Sequence, residues 1–117
     1  MMHMFVNAQV YLALGVTDMR KSINTLSILV QEQMGGDLFS GSLFAFCNRK
    51  RDIVKVLFWD RNGFCLFEKR LEKDRFRWPE KSEEVMRLTQ RELMWLLDGL
   101  EVSPVGVHEE LEYESVW

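Results

Sequence analysis

Two stretches rich in strand-forming side chains, residues 53–60 and 64–71, are separated by Arg61, Asn62 and Gly63. An Asn-Gly pair between such stretches marks a tight hairpin, because a two-residue type I′ turn needs positive φ at both central positions. With Asn62-Gly63 as the turn, Arg61 faces Phe64, Trp59 faces Leu66, Leu57 faces Glu68 and Lys55 faces Arg70. Residues 43–48 read as a strand joined to 53–60 by the polar tip Arg49-Lys50-Arg51-Asp52. That loop length pairs Cys47 with Val54, Ala45 with Val56 and Leu43 with Phe58. An antiparallel β-meander is expected.

Alternation with period two sorts the meander into two faces. One carries Leu43, Ala45, Cys47, Val54, Val56, Phe58, Cys65, Phe67 and Leu71 and reads as a core face. The other mixes Phe44, Phe46, Leu57, Trp59, Phe64 and Leu66 with Lys55, Arg61, Glu68 and Arg70. It is too apolar to stand in water and too basic for a simple core, so Phe44, Phe46 and Trp59 are candidates for a partner interface.

Helices flank the meander. Residues 8–14 form a first strand ended by Gly15, and Thr17 is a good N-cap with Asp18 in the following turn. Met19, Ile23, Leu26, Val30 and Met34 then share one helical face, and Gly35-Gly36 stops the helix. This helix, residues 18–34, is the expected cover for the core face.

Downstream, Pro79 holds Trp78 extended, which turns Phe76 and Trp78 inward and Arg75 and Arg77 outward. A short strand over 84–88 precedes the capping box Thr89–Glu92, and a second helix, 90–98, carries Leu93, Leu96, Leu97 and Leu100. The fold class is therefore α+β: a single domain over residues 1–102, an antiparallel meander with at least two packed helices. Residues 103–117 form an acidic tail expected to be loosely held.

The composition, 47% hydrophobic and 28% charged, is that of a soluble globular chain. No apolar run is long enough to span a bilayer, and the first residues lack the basic region and cleavage site of a secretory signal. Two cysteines without a CxxC pairing make neither a disulfide framework nor a zinc site. A cytoplasmic protein with no membrane partner is expected. Charge is segregated: residues 49–77 hold ten basic and five acidic side chains, whereas 78–117 hold three basic and ten acidic.

Catalytic signatures are missing. His3 and His108 lie in terminal segments, Cys47 and Cys65 fall on the core face, and no nucleophile elbow, P-loop or HExxH motif occurs. Asp18, Asp52, Asp60 and Asp98 each have a local explanation and no mutual spacing. No catalytic residue, metal site or cofactor is expected.

Nucleic-acid contact fits better, since phosphates call for Lys and Arg. Arg49, Lys50 and Arg51 project from one tip, with Lys55, Arg61, Arg70, Arg75 and Arg77 flanking them. The alternative is that the aromatic face is covered by a helix or a partner subunit and the cations only rim that contact. Arg20 and Lys21 would sit in the first turn of the first helix, where cations oppose the helix dipole. That placement points to an anionic partner or to a carboxylate such as Asp18 or Asp37.

Longer strings carry a resemblance. Val10-Tyr11-Leu12-Ala13, Gly15 and Thr17-Asp18-Met19-Arg20-Lys21-Ser22 are similar to the opening of the TnpB accessory proteins, the second open reading frame of insertion sequence 66-type transposable elements. Phe39-Ser40-Gly41, Phe46-Cys47-Asn48-Arg49, Trp59-Asp60-Arg61, Lys69-Arg70-Leu71-Glu72, Phe76-Arg77-Trp78-Pro79 and Trp95-Leu96-Leu97-Asp98-Gly99 continue the match in order. Leu14 departs from it, since members of the family often carry cysteine there.

The resemblance implies a non-catalytic accessory role in DNA transposition. The implied partners are the element-encoded transposase and the other accessory protein, with transposon-end DNA and a second copy of the chain as further candidates. Direct DNA contact, a protein–protein adaptor role, and an enzyme whose site a partner completes stay open at this level.

Overall fold

A computed structural model describes residues 8–80 and 85–102. In chain order the elements are β1 (Val10–Ala13), α1 (Ile23–Leu29) continued by a π-helical turn over Val30–Met34, β2 (Leu43–Cys47), β3 (Ile53–Asp60), β4 (Gly63–Arg70), β5 (Val85–Leu88) and α2 (Gln90–Leu97). The five strands form one sheet in the order β4-β3-β2-β1-β5. The expected 103–117 tail lies outside the described residues.

The meander β2-β3-β4 is antiparallel, with Cys47 opposite Val54 and Ala45 opposite Val56 as expected. The β3–β4 hairpin departs from expectation. Asp60 pairs with Gly63, so the turn residues are Arg61 and Asn62, and Arg61 takes φ of 49°.

Cross-strand chemistry explains the difference. The Asn62-Gly63 turn would set Lys55 against Arg70 and Leu57 against Glu68. The observed register sets Lys55 against Glu68, Leu57 against Leu66 and Trp59 against Phe64. Each matched pair contributes up to about 1 kcal/mol, which together offsets the roughly 1–2 kcal/mol cost of one left-handed arginine. The register moves by two residues, so both faces keep the composition deduced from alternation.

The sheet is mixed. β1 lies parallel to β2, reached by a crossover through α1, and antiparallel to β5. Parallel neighbours need a long connection, and the helix supplies it.

The helices take the opposite arrangement from the one expected. α1 and its π-helical extension cover the mixed face: Leu26 and Val30 pack with Leu38, Phe44, Phe46 and Leu57. α2 covers the other face, where Leu93, Leu96 and Leu97 join Val54, Val56 and Phe58, with Phe76 and Trp78 beside them.

The first helix also starts later than Thr17 and Asp18 indicated. Thr17 donates its amide to the Cys47 carbonyl at 2.9 Å, and Asp18 accepts the Arg20 amide at 2.9 Å in a turn. Ser22 becomes the N-cap, its amide bonded to Thr25 Oγ1 at 2.9 Å. The second helix keeps its capping box, with Thr89 and Glu92 bonded reciprocally at 2.8 and 3.1 Å.

Candidate nucleic-acid interface

The C-terminal ends of the parallel strands β1 and β2 lie at one end of the sheet, together with the start of β3 and the end of β4. The β2–β3 tip at this end is organised by Asn48. Its Oδ1 accepts the amides of Asp52 and Ile53, each at 3.0 Å, and its Nδ2 donates to Asp52 Oδ1 at 2.7 Å. The Asp52 carboxylate is thereby turned into the tip, and Arg49 and Lys50 are exposed beside it.

The segment after β4 folds against the same tip. Leu71 donates its amide to the Asp52 carbonyl at 2.9 Å and Phe76 to the Arg51 carbonyl at 2.7 Å. Phe76 and Trp78 are buried at 2% and 4% exposure, while Arg75 and Arg77 face outward, as alternation required. The segment is extended but adds no strand to the sheet. Trp78 Nε1 instead donates to the Ala13 carbonyl at the end of β1, at 3.0 Å.

Two distant basic clusters thus meet at one end of the molecule. Among the described residues, ion pairs engage only Arg20, Lys55 and Arg70. Arg49, Lys50, Arg51, Lys73, Arg75 and Arg77 therefore face no described carboxylate at ion-pair distance. Arg51 Nη1 is buried with no hydrogen-bond partner among the described residues. Burial pushes the Cys47 thiol up to about 11, against the opposing pull of the nearby Arg51 guanidinium.

Other expected site residues are placed differently. Lys55 is held inside the fold: Nζ donates to the carbonyls of Met19 and Lys21 at 2.7 and 3.3 Å and lies 3.9 Å from Glu68 Oε1. It fastens the turn before α1 and is not presented at the surface. Arg61 sits at the opposite end of β3, an eight-residue strand and so roughly 25 Å away. Arg70 closes β4 near the tip, its Nε 3.8 Å from Glu72 Oε2.

Phe44 and Phe46, read as partner-interface residues, are 1% and 0% exposed beneath α1 and belong to the core. Arg20 and Lys21 precede the helix, so the dipole argument does not apply to them. Arg20 grips Asp18 through Nε and Nη2, and this guanidinium holds the Asp18 carboxyl well below the usual carboxylate range. Both residues still lie at the cationic end, because Thr17 is bonded to Cys47 and Lys55 to Lys21.

At the other end of the hairpin, Trp59 lies 4.9 Å from Phe39 and 5.0 Å from Phe64, ring centre to ring centre, in edge-to-face contacts. Phe39 is 59% exposed on a loop closed by Asp37, which accepts the Phe39 amide at 3.0 Å and the Ser40 hydroxyl at 2.8 Å. Phe39, Asn48 and Lys73 were not singled out from the sequence as site residues. Lys73 belonged to the basic block and was the most accessible of the three to charge counting.

No three His, Cys, Asp or Glu side chains gather as a metal site among the described residues, and no described helix is long and apolar enough to cross a membrane.

These features define a small α+β protein with a cluster of exposed cations at one end of a mixed sheet. The chain belongs to the IS66 Orf2-like protein family, whose model matches residues 8–106, and it is thereby associated with insertion-sequence transposition. It is similar to uncharacterized protein y4hO of Sinorhizobium fredii, 37% identical over 95 residues that cover 81% of this chain and 83% of that protein. Uncharacterized protein y4jC of the same organism is 27% identical over 93 residues, covering 80% of each chain. No solved structure matches the chain.

Proposed function

We propose that this protein is a non-catalytic accessory factor of DNA transposition that grips DNA, or the transposase–DNA complex, by the cationic end of its sheet. The observation that carries this reading is the convergence of Arg49 and Lys50 with Lys73, Arg75 and Arg77 on one end without carboxylate partners among the described residues. Cations so arranged suit the phosphate backbone, which positions a protein on DNA without reading its sequence.

The test is a salt titration of binding to a duplex carrying the element's end. Each neutralised phosphate contributes about 0.9 to the log–log slope, so contacts from five or six side chains give a slope near −5. Binding that is flat in salt, or unchanged when Arg49, Lys50, Arg75 and Arg77 are all alanine, would overturn the reading.

A second reading, an adaptor that binds the transposase without touching DNA, draws on Phe39, Trp59 and Phe64. An aromatic side chain held out on a hydrogen-bonded loop costs little entropy to bury at an interface. Phe39→Ser should then abolish capture of the transposase in the absence of DNA.

A further inference from the structure

β4 is an eight-residue edge of the sheet, whereas the other edge, β5, has four residues. The hairpin closes on Asp60–Gly63 and runs to Ile53–Arg70 without a bulge, so residues 63, 65, 67 and 69 bond to β3. The amides and carbonyls of Phe64, Leu66, Glu68 and Arg70 point the other way, and no described backbone group meets them. Folded chains blunt such an edge with proline, a bulge or outward lysines. The half Gly63–Phe67 has none of these, although Phe64, Cys65, Leu66 and Phe67 are all partly exposed. The lysine of β4, Lys69, is turned back to donate to the Leu97 carbonyl at 2.8 Å.

We propose that β4 pairs antiparallel with β4 of a second copy, about a two-fold axis at Cys65. A two-fold perpendicular to the sheet keeps each face continuous. It sets Phe64 against the partner's Leu66 and Gly63 against the partner's Phe67, so only uncharged residues oppose one another. The charged half then passes the partner's turn, with Glu68 level with the partner's Asn62, beside Arg61, and Arg70 level with the partner's Asp60. Opposite charges adjoin on both sides of the axis. Lys69, level with the partner's Arg61, is the cation withdrawn onto Leu97. An axis at Leu66 or Phe67 would instead lay the Glu68 carboxylate against an apolar residue, and one at Glu68 would oppose two carboxylates.

The same axis covers an exposed aromatic patch. The two Phe64 residues become diagonal neighbours roughly 7–8 Å apart, within reach of aromatic rings. Phe39 and Trp59 stand 5.8 and 5.0 Å from each Phe64, and Phe39 is 59% exposed. The pairing uses none of Arg49, Lys50, Arg75 and Arg77, so it is independent of DNA contact.

Sedimentation equilibrium of the full chain under reducing conditions should give a mass that rises with concentration toward twice 13.9 kDa. Mild oxidation with copper–phenanthroline should link the copies through Cys65. On the axis this residue forms a non-hydrogen-bonded pair with itself, in which Cα atoms approach to about 4.5 Å. Cys47→Ala should link as the parent does, and Cys65→Ser should not. Cys65→Ser/Glu68→Cys moves the thiol to a more exposed position. Its two thiols would lie roughly 20 Å apart along the paired strands and should stay unlinked.

A mass that remains that of one chain at every concentration overturns the pairing, whatever the non-reducing gel shows. A dimer that does not link through Cys65, or that links equally well through Glu68→Cys, has its interface elsewhere and overturns it too. Linkage confined to Cys65 in a self-associating chain supports the pairing.

Discussion

The Phe76 amide donates to the Arg51 carbonyl at 2.7 Å, joining two basic segments that are separated in the sequence by the whole β3–β4 hairpin. This bond, with that of Leu71 to Asp52, makes a single surface of Arg49 and Lys50 on one side and Arg75 and Arg77 on the other. The double variants Arg49→Ala/Lys50→Ala and Arg75→Ala/Arg77→Ala should therefore each reduce the salt slope of DNA binding by about two units. All four side chains are exposed, so thermal stability should stay within about 0.5 kcal/mol of the parent. A slope change confined to one pair would mean that the two segments do not contact the same DNA.

Lys55 gives the opposite expectation. Its ammonium group is bonded to the Met19 and Lys21 carbonyls, and its side chain is only 12% exposed. Lys55→Met keeps the length of the side chain but leaves those carbonyls without their buried donor, at a cost of about 1–3 kcal/mol. Urea unfolding should show this loss while DNA affinity at the native baseline is unchanged. A stable Lys55→Met protein with weakened DNA binding would return Lys55 to the interface.

The contrast between Lys55 and Arg77 shows how far the sequence could be read. Arg77 sits beside Trp78 and Pro79, and local backbone geometry alone decides which way each points. Lys55 bonds to carbonyls 34 and 36 residues away, and no pattern of side-chain types reports a backbone acceptor. The composition of the two sheet faces was legible because a two-residue slip preserves alternation, even though the Asn62-Gly63 turn misplaced every cross-strand pair of β3 and β4. Which helix covers which face was not legible. Both faces are apolar, and the stripe of Leu26 and Val30 fits either one until the parallel pairing of β1 with β2 fixes the side on which the crossover runs.

Trp78 is the fastening of the segment that carries Arg75 and Arg77. It is 4% exposed, and its indole nitrogen reaches the Ala13 carbonyl at 3.0 Å. Trp78→Ala should destabilise the fold by about 3–5 kcal/mol, the range of large aromatic truncations in a core. Trp78→Phe retains most of the apolar contact but loses the hydrogen bond, and should cost less than half as much in the same denaturation experiment. Equal losses for the two variants would place the whole effect in the hydrogen bond.

Cys47 predicts a response to alkaline pH. Burial raises its thiol from an ordinary value of 9.0 to about 11 in the folded protein. Between these values the unfolded chain has released the proton and the native chain has kept it, so the native state binds more protons and stability falls as pH rises. Relative to Cys47→Ala, the parent should lose stability from about pH 9 to pH 11 and show no such difference below pH 8. Thiol titration of the native protein at pH 8 should likewise leave Cys47 unreacted until the chain unfolds.

The adjacent glycines 35 and 36 separate two ways in which a side chain can be refused. Gly35 caps the π-helical turn at φ of 63°, and a Cβ there would meet nothing within 4 Å. Gly35→Ala therefore pays only the left-handed backbone cost, about 1–2 kcal/mol. Gly36 carries no such strain, but its Cβ would lie 2.5 Å from Phe44 Cε1 and 2.8 Å from Cζ. Phe44 is 1% exposed and packed beneath α1, so its ring has nowhere to go, and Gly36→Ala should cost about 1–3 kcal/mol as overpacking. The two causes are distinguishable by a second substitution. Phe44→Leu shortens the side chain that Gly36→Ala strikes, so the double variant should lose less stability than the two single losses added together. Combined with Gly35→Ala, the same Phe44→Leu change should be simply additive. Additivity in both pairs would show that the ring does not oppose a side chain at Gly36.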